Sequence, residues 1–243
     1  MDKLQNKLEE IRSFCRTNSN PALVEKYSRY FKEGYDAYGL DSKNMINQKE
    51  YWLNDWKEEL SIDDYLALGD KLFESGKYEE GSFAILFIAS FKKQFTSRIF
   101  EHIGRWLEKG VNNWAHSDVI VGEVISHFIK KEIVTLSVFE EWSQSSSRWK
   151  RRAVPVSLIQ ALKNGSAPND LFLLIDPMML DAERVVHQGL GWLLREIWKK
   201  YPQETESFLL KWKDSCARLI IQYATEKMDK SQKERFKKAF TKR

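Results

Sequence analysis

Apolar residues along this 243-residue chain recur at three- and four-residue spacing almost from end to end, the period of amphipathic helices rather than the alternation of strands. The pattern predicts helices over 2–16, 21–33, 43–59, 62–75, 79–93, 96–108, 115–130, 135–143, 148–163, 168–175, 181–200, 204–226 and 230–241. Short stop or turn signals separate them: Asn20-Pro21, Ser75-Gly76, Lys109-Gly110, Asn164-Gly165-Ser166, Asp176-Pro177 and Tyr201-Pro202. None is long enough for a flexible linker, so a single domain over residues 1–243 is expected. Helices of this length joined by short turns form antiparallel pairs, and pairs that bury their apolar stripes against the next pair stack into a superhelix. The expected fold is all-α: an α-solenoid of degenerate HEAT-like helix pairs. A compact orthogonal bundle is the alternative, because no strict internal period is present. The difference has a consequence, since a solenoid offers a concave face to extended polymers.

Composition narrows the setting. Cys15 and Cys216 stand far apart with no CxxC pattern, so neither a disulfide framework nor a thiolate metal site is suggested, and a reducing cytoplasm fits. Met1-Asp2-Lys3 runs directly into a charged amphipathic stretch, so no signal peptide is expected. The longest apolar run, Phe83 to Ala89, is far shorter than the ~20 residues of a membrane-spanning helix. The net charge of +4 is small, but it is unevenly distributed. Residues 183–243 carry 15 Lys and Arg against 8 Asp and Glu, a net +7, which leaves −3 for residues 1–182. That basic end fits either solvated helix faces or a polyanion partner.

Several site signatures are absent: no Gly-rich phosphate loop, no HExxH, no GxSxG, and no i, i+4 pairing among His102, His116, His127 and His187. Three segments do carry chemistry. In 181–200 the apolar stripe is Val186, Leu190, Leu193, Leu194 and Ile197, while Trp192 falls on the other side with Gln188, Arg195, Glu196 and Lys199. Gly189 and Gly191 flank it, each costing ~1 kcal/mol against alanine inside a helix, so something approaches the backbone closely there. Trp192 is either a binding aromatic or a packing residue between helix pairs. In Asn112-Asn-Trp-Ala-His-Ser-Asp118, Trp114 and Asp118 sit at i, i+4 on one face near a positive helix end, which favours the ionised carboxylate. Ordinary first-turn stabilisation by an aspartate, beside a core tryptophan, is the competing reading. In Arg148-Trp-Lys-Arg-Arg-Ala-Val-Pro155, the bases Arg148, Lys150, Arg151 and Arg152 surround an aromatic, and Pro155 should kink the helix. Phosphate contact and a solvated basic face are both compatible with that segment.

In this order the three segments resemble the DNA alkylation repair enzyme family, the AlkD-type HEAT-like repeat glycosylases. Trp114-Ala-His-Ser-Asp118, Trp149-Lys-Arg-Arg152-Ala and Gly189-Leu-Gly-Trp-Leu-Leu-Arg-Glu196 carry the resemblance, with a fainter echo from Asn20-Pro21 through Tyr30-Phe31-Lys32 to Tyr38-Gly39-Leu40. It spans roughly residues 20–225. The resemblance implies a basic concave face gripping duplex DNA and hydrolysis of the N-glycosidic bond of alkylated purines such as 3-methyladenine and 7-methylguanine. It implies Asp118 as the catalytic carboxylate, Trp114 and Trp192 as aromatic walls at the lesion, and Arg152 as an arginine of the cleft. Arg148, Lys150, Arg151, Arg195 and Lys199 are expected to join it in binding DNA. No metal or organic cofactor is implied. The expected protein is a cytoplasmic monomer, nucleoid-associated when bound to double-stranded DNA containing alkylated bases. Asn113 and Ala115-His116 depart from the family pattern, in which a second aromatic and a more acidic spacing can occur. A non-catalytic helical-repeat module binding DNA or protein is the alternative reading.

Overall fold

Several helix starts stand where side chains satisfy the first free backbone N–H groups. Asn20 accepts from the amide of Ala22 with Pro21 in the first turn, Asp41 accepts from Lys43 and Asn44, and Ser147 accepts from Lys150. Ser61 and Asp64 form a reciprocal capping box. A computed structural model describes residues 3–237, and its described residues contain no strand. The helices are α1 (Lys3–Thr17), α2 (Pro21–Ser28), α3 (Ser42–Asp55), α4 (Ile62–Glu74), α5 (Tyr78–Ala89), α6 (Ser97–Arg105), α7 (Trp114–Ile120), α8 (Ser126–Lys130), α9 (Val138–Ser143), α10 (Arg148–Lys163), α11 (Pro168–Ile175), α12 (Arg184–Trp198), α13 (Pro202–Trp212), α14 (Arg218–Ala224) and α15 (Lys230–Glu234). The all-α expectation is met. None of these helices is long and apolar enough to cross a membrane. The chain falls into two compact units, Met1–His127 and Phe128–Arg243.

In the first unit α5 is the central element, packed against α1, α3, α4 and α7. Its sequence is apolar on nearly all sides, with Phe83, Ala84, Ile85, Phe87 and Ile88 all buried, as befits a helix enclosed by neighbours. Around it stands an aromatic core. Trp52 stacks on Trp56 with ring centroids 5.3 Å apart and meets Phe83 edge-on at 5.3 Å. Each such pair adds about 0.5–1.5 kcal/mol beyond the area it buries.

The second unit repeats one packing step. Helix α12 lies between α10 and α14, while α11 and α13 pack on each other and reach α10 and α12 respectively. The predicted stripe Val186, Leu190, Leu193, Leu194 and Ile197 is fully buried. The two glycines explain how the three helices come so close. A Cβ on Gly189 would stand 3.0 Å from Pro155 Cγ, and one on Gly191 would stand 2.4 Å from Tyr223 Cβ and 2.9 Å from the Ile220 carbonyl oxygen. The close approach anticipated from sequence is therefore made by the protein's own α10 and α14. Gly191→Ala should force α12 and α14 apart and cost about 1–3 kcal/mol in urea unfolding, despite alanine's better helix propensity. A neutral or stabilising outcome would show that the interface yields without strain.

Two predicted segments, 148–163 and 168–175, coincide with α10 and α11, and α10 runs on through Pro155. Others differ. The expected helix 204–226 is two helices, α13 and α14, separated by a turn over 213–217. Phe208, Leu209, Trp212, Cys216 and Ile220 keep helical spacing across that turn, so periodicity alone could not reveal it. The chain breaks where Trp212 Nε1 donates to Asp176 at 2.9 Å and Cys216 becomes buried. Segment 21–33 stops as a helix at Ser28 because the chain turns Phe31 into an aromatic cluster. The segment 96–108 ends inside a π-helical turn, Trp106–Gly110, and 115–130 contains another, Val121–Ile125. The predicted residues 2 and 238–241 lie outside the described residues.

Candidate functional site

Trp114 and Asp118 belong to the first unit, and the other candidates belong to the second. Helix α7 begins at Trp114 because Asn113, in extended conformation, caps it: its Oδ1 accepts from the His116 amide at 2.9 Å. The other end of that amide is also fixed, with Asn113 Nδ2 contacting His116 Nδ1 at 3.0 Å and donating to Asn112 Oδ1 at 2.9 Å. Trp114 is held at its edge and on its face. Its Nε1 donates to the Tyr30 carbonyl at 3.1 Å, and its ring stacks on Phe31 with centroids 5.6 Å apart and planes 20° from parallel. Phe31 in turn stacks on Tyr35 at 4.5 Å. Asp118 follows one turn later on the same face of α7, half-buried like Trp114. The π-helical turn Val121–Ile125 begins three residues beyond it.

His116 sits behind this pair, buried and wedged between aromatics: it stacks on Tyr78 at 4.8 Å and meets Phe73 edge-on at 5.8 Å. Its partners assign a neutral tautomer. Nε2 donates to the Tyr78 carbonyl at 2.8 Å, which leaves Nδ1 as the acceptor of the Asn113 amide. Burial pushes its pKa down to about 4, only partly opposed by the hydrogen bond to Tyr78. An unfolded chain takes up this proton near the ordinary value of 6.5. The stabilisation is thus complete above about pH 6.5 and is lost as pH falls toward 4, amounting to about 3 kcal/mol over that window. Urea unfolding from pH 7 to pH 4 should therefore be markedly less pH-dependent in His116→Gln. Parallel profiles for both proteins would contradict the assignment.

In the second unit the basic segment opens α10. Arg148 lies over the Trp149 ring with its guanidinium carbon 4.9 Å from the centroid, and reaches Glu183 at 3.6 Å. Lys150 lies over Trp142 at 5.6 Å and reaches Glu141 at 4.0 Å. Arg151 grips the entry to α12: its Nε donates to Asp181 Oδ2 at 2.6 Å, and Nη1 donates to the carbonyls of Ser145 and Ser146 at 2.8 and 3.1 Å. Arg152 is buried, and its Nη1 donates to the Val185 carbonyl at 2.7 Å. The outward phosphate contact expected of Arg151 and Arg152 thus meets a different geometry. Both guanidinium groups are engaged inside the protein and tie α10 to the start of α12. On α12, Trp192 is half-buried rather than standing clear on a polar face. Its predicted companions remain on that side of the helix: Gln188 donates to the Tyr223 hydroxyl at 3.0 Å, Arg195 pairs with Glu226, and Lys199 bonds Glu196 at 2.7 Å. No group of three or more His, Cys, Asp or Glu among the described residues is arranged to hold a metal ion.

The sequence profile of the DNA alkylation repair enzyme family matches residues 11–228, nearly the whole chain. The chain belongs to this family. Members of the DNA alkylation repair enzyme family among solved structures share its fold. A predicted DNA alkylation repair enzyme from Enterococcus faecalis superposes with a TM-score of 0.72 at 16% identity, over 88% of this chain and 98% of that one. AlkD2 from Streptococcus mutans gives a TM-score of 0.58 at 23% identity, over 78% of this chain and 91% of that one. No curated protein matches. For this family member, sequence reasoning singled out Trp114 and Asp118 but not what supports them. Asn113 could have been read as a cap from its place before an amphipathic run. The packing of Tyr78, Phe31 and His116 had no local signal, because their contacts join segments more than 30 residues apart.

Proposed function

We propose that this protein is a DNA glycosylase that hydrolyses the N-glycosidic bond of cationic alkylpurines, such as 3-methyladenine and 7-methylguanine, in duplex DNA. The observation that carries the reading is Trp114, anchored through Nε1 and by Phe31, with Asp118 one turn further along the same helix face, in a chain of the DNA alkylation repair enzyme family. Alkylation gives the purine a positive charge, so cleavage hands the bonding electron pair to the base, which leaves neutral. The charge moves to the sugar as an oxocarbenium ion. A carboxylate placed near C1′ stabilises that charge, and water then adds at C1′ and releases a proton. The π-faces of Trp114 and Trp192 suit a cationic base or sugar C–H groups, at ~0.5–2 kcal/mol each.

Arg148, Lys150, Arg195 and Lys199 supply phosphate contacts in this reading. The ion pairs of Arg148 with Glu183 and Lys199 with Glu196 are of the surface type, which contributes little and exchanges readily, whereas the Lys150 and Arg195 side chains are more covered. Arg151 and Arg152 serve by fixing α10 against α12. The protein acts as a monomer in the cytoplasm, on nucleoid DNA, and needs no metal or organic cofactor. Incubation with methylated duplex DNA should free 3-methyladenine or 7-methylguanine well above the spontaneous rate, measured by chromatography of the released bases. Salt-sensitive binding with no release would sink the enzymatic reading in favour of a DNA-binding module.

A further inference from the structure

The half of α7 that faces away from Trp114 and Asp118 is unusual in its own right. A helix start needs only one side-chain acceptor, yet Asn113 and His116 form a closed ring of two hydrogen bonds. The Asn113 carbonyl oxygen takes the His116 backbone N–H at 2.9 Å, and the Asn113 amide nitrogen meets His116 Nδ1 at 3.0 Å. The far side of the same imidazole is fastened to α5, through Nε2 to the Tyr78 carbonyl at 2.8 Å and to Ser82 Oγ at 3.2 Å. Tyr78 then closes a second route to the same place. Its ring stacks on His116 and meets Phe31 at 5.6 Å, and Phe31 carries the Trp114 ring. Trp114 is therefore fixed twice to one point on α5: through its own helix start by the imidazole, and through its ring by Phe31.

We propose that His116 is a positioning residue, which with Asn113 and Tyr78 sets the orientation in which α7 presents Trp114 and Asp118 to the substrate. This deepens the glycosylase reading and rests on it. A bulky apolar residue could fill the same cavity between Phe73 and Tyr78. It could not hold both the cap amide, which needs an acceptor, and the α5 carbonyl, which needs a donor. The neutral imidazole is the side chain with that polarity and reach. Rigid support of this kind matters because misplacement of reacting groups by about 1 Å costs on the order of a hundredfold in rate.

The test uses the full chain and methylated duplex DNA, with single-turnover base release and DNA affinity measured separately. His116→Gln keeps a donor toward Tyr78 and loses the acceptor toward Asn113. Asn113→Asp keeps an excellent helix cap but offers His116 an acceptor, which turns the imidazole to the opposite tautomer and breaks its bond to Tyr78. Both variants should release base about tenfold or more slowly than the parent protein, with DNA affinity changed less than twofold and thermal unfolding cooperative. Release within twofold of the parent in Asn113→Asp, folded and binding DNA, would overturn the positioning role and leave the glycosylase reading intact. Absence of release by the parent protein would overturn the glycosylase reading itself, and the role of His116 with it.

Discussion

Asp118→Asn is expected to lower single-turnover base release from methylated duplex DNA by about 10²–10³-fold, with DNA affinity little changed. The substitution keeps shape and polarity and removes only the negative charge. Loss of one group aimed at developing transition-state charge costs about that much in other enzymes. The comparison with Trp114 makes the expectation sharper. An aromatic face contributes ~0.5–2 kcal/mol, which caps the effect of Trp114→Ala at roughly 30-fold if only that contact is lost. A carboxylate opposing a full positive charge is worth more. The order of effects should thus be Asp118 first, then Trp114. Release by Asp118→Asn within threefold of the parent rate would remove Asp118 from the chemistry and require another source of stabilisation for the sugar cation.

What the sequence made legible follows the range of the interactions involved. Helix α10 has a capping serine and a basic first turn, and α12 has five apolar residues on one stripe; both are local patterns and both were found. Trp114 and Asp118 share a helix face by spacing alone, so their pairing was legible too. The break between α13 and α14 was not, because the apolar period continues across it while a distant Asp176 draws Trp212 aside. Arg151 and Arg152 show the same limit. A run of basic residues reads as an outward patch, and only the fold brings Asp181 and the Val185 carbonyl within reach of the two guanidinium groups. Gly189 and Gly191 were correctly read as sites of close approach, yet the approaching group was a neighbouring helix. Glycine reports proximity without identifying the neighbour.

Glu79 poses the largest expected stability effect, and nothing in Tyr78-Glu-Glu-Gly announces it. Two adjacent glutamates at a helix start read as a solvated first turn, but both are buried. Glu80 accepts from Arg12 Nε at 3.0 Å and from the Tyr38 hydroxyl at 2.8 Å. Glu79 accepts from three successive backbone amides, those of Tyr38 at 2.8 Å, Gly39 at 2.7 Å and Leu40 at 3.1 Å. Here three consecutive N–H groups converge on one carboxylate because the chain turns through a left-handed residue. Gly39 supplies it, with φ of +81° and no room for a Cβ, which would stand 2.2 Å from the Asn20 carbonyl oxygen. The same turn receives the Asn20 amide on the Tyr38 carbonyl at 2.8 Å, so it fixes the start of α2 and, beyond it, the chain that brings Phe31 to Trp114. Glu79→Ala leaves the three amides without their acceptor. Each unsatisfied group costs about 1–3 kcal/mol, and water entering the vacated space recovers part of it, so a net loss of about 3–5 kcal/mol is expected. Set against a total stability of about 5–15 kcal/mol, that is enough to leave a marginal fold. Glu79→Gln should cost less, about 1–2 kcal/mol, because its oxygen can still accept from two amides while its NH₂ opposes the third. Urea unfolding of both variants, together with hydrogen exchange at Tyr38, Gly39 and Leu40, distinguishes this account from simple packing. Protection at those three amides should vanish in Glu79→Ala before global unfolding, and a loss below 1 kcal/mol with protection retained would show that the turn holds itself.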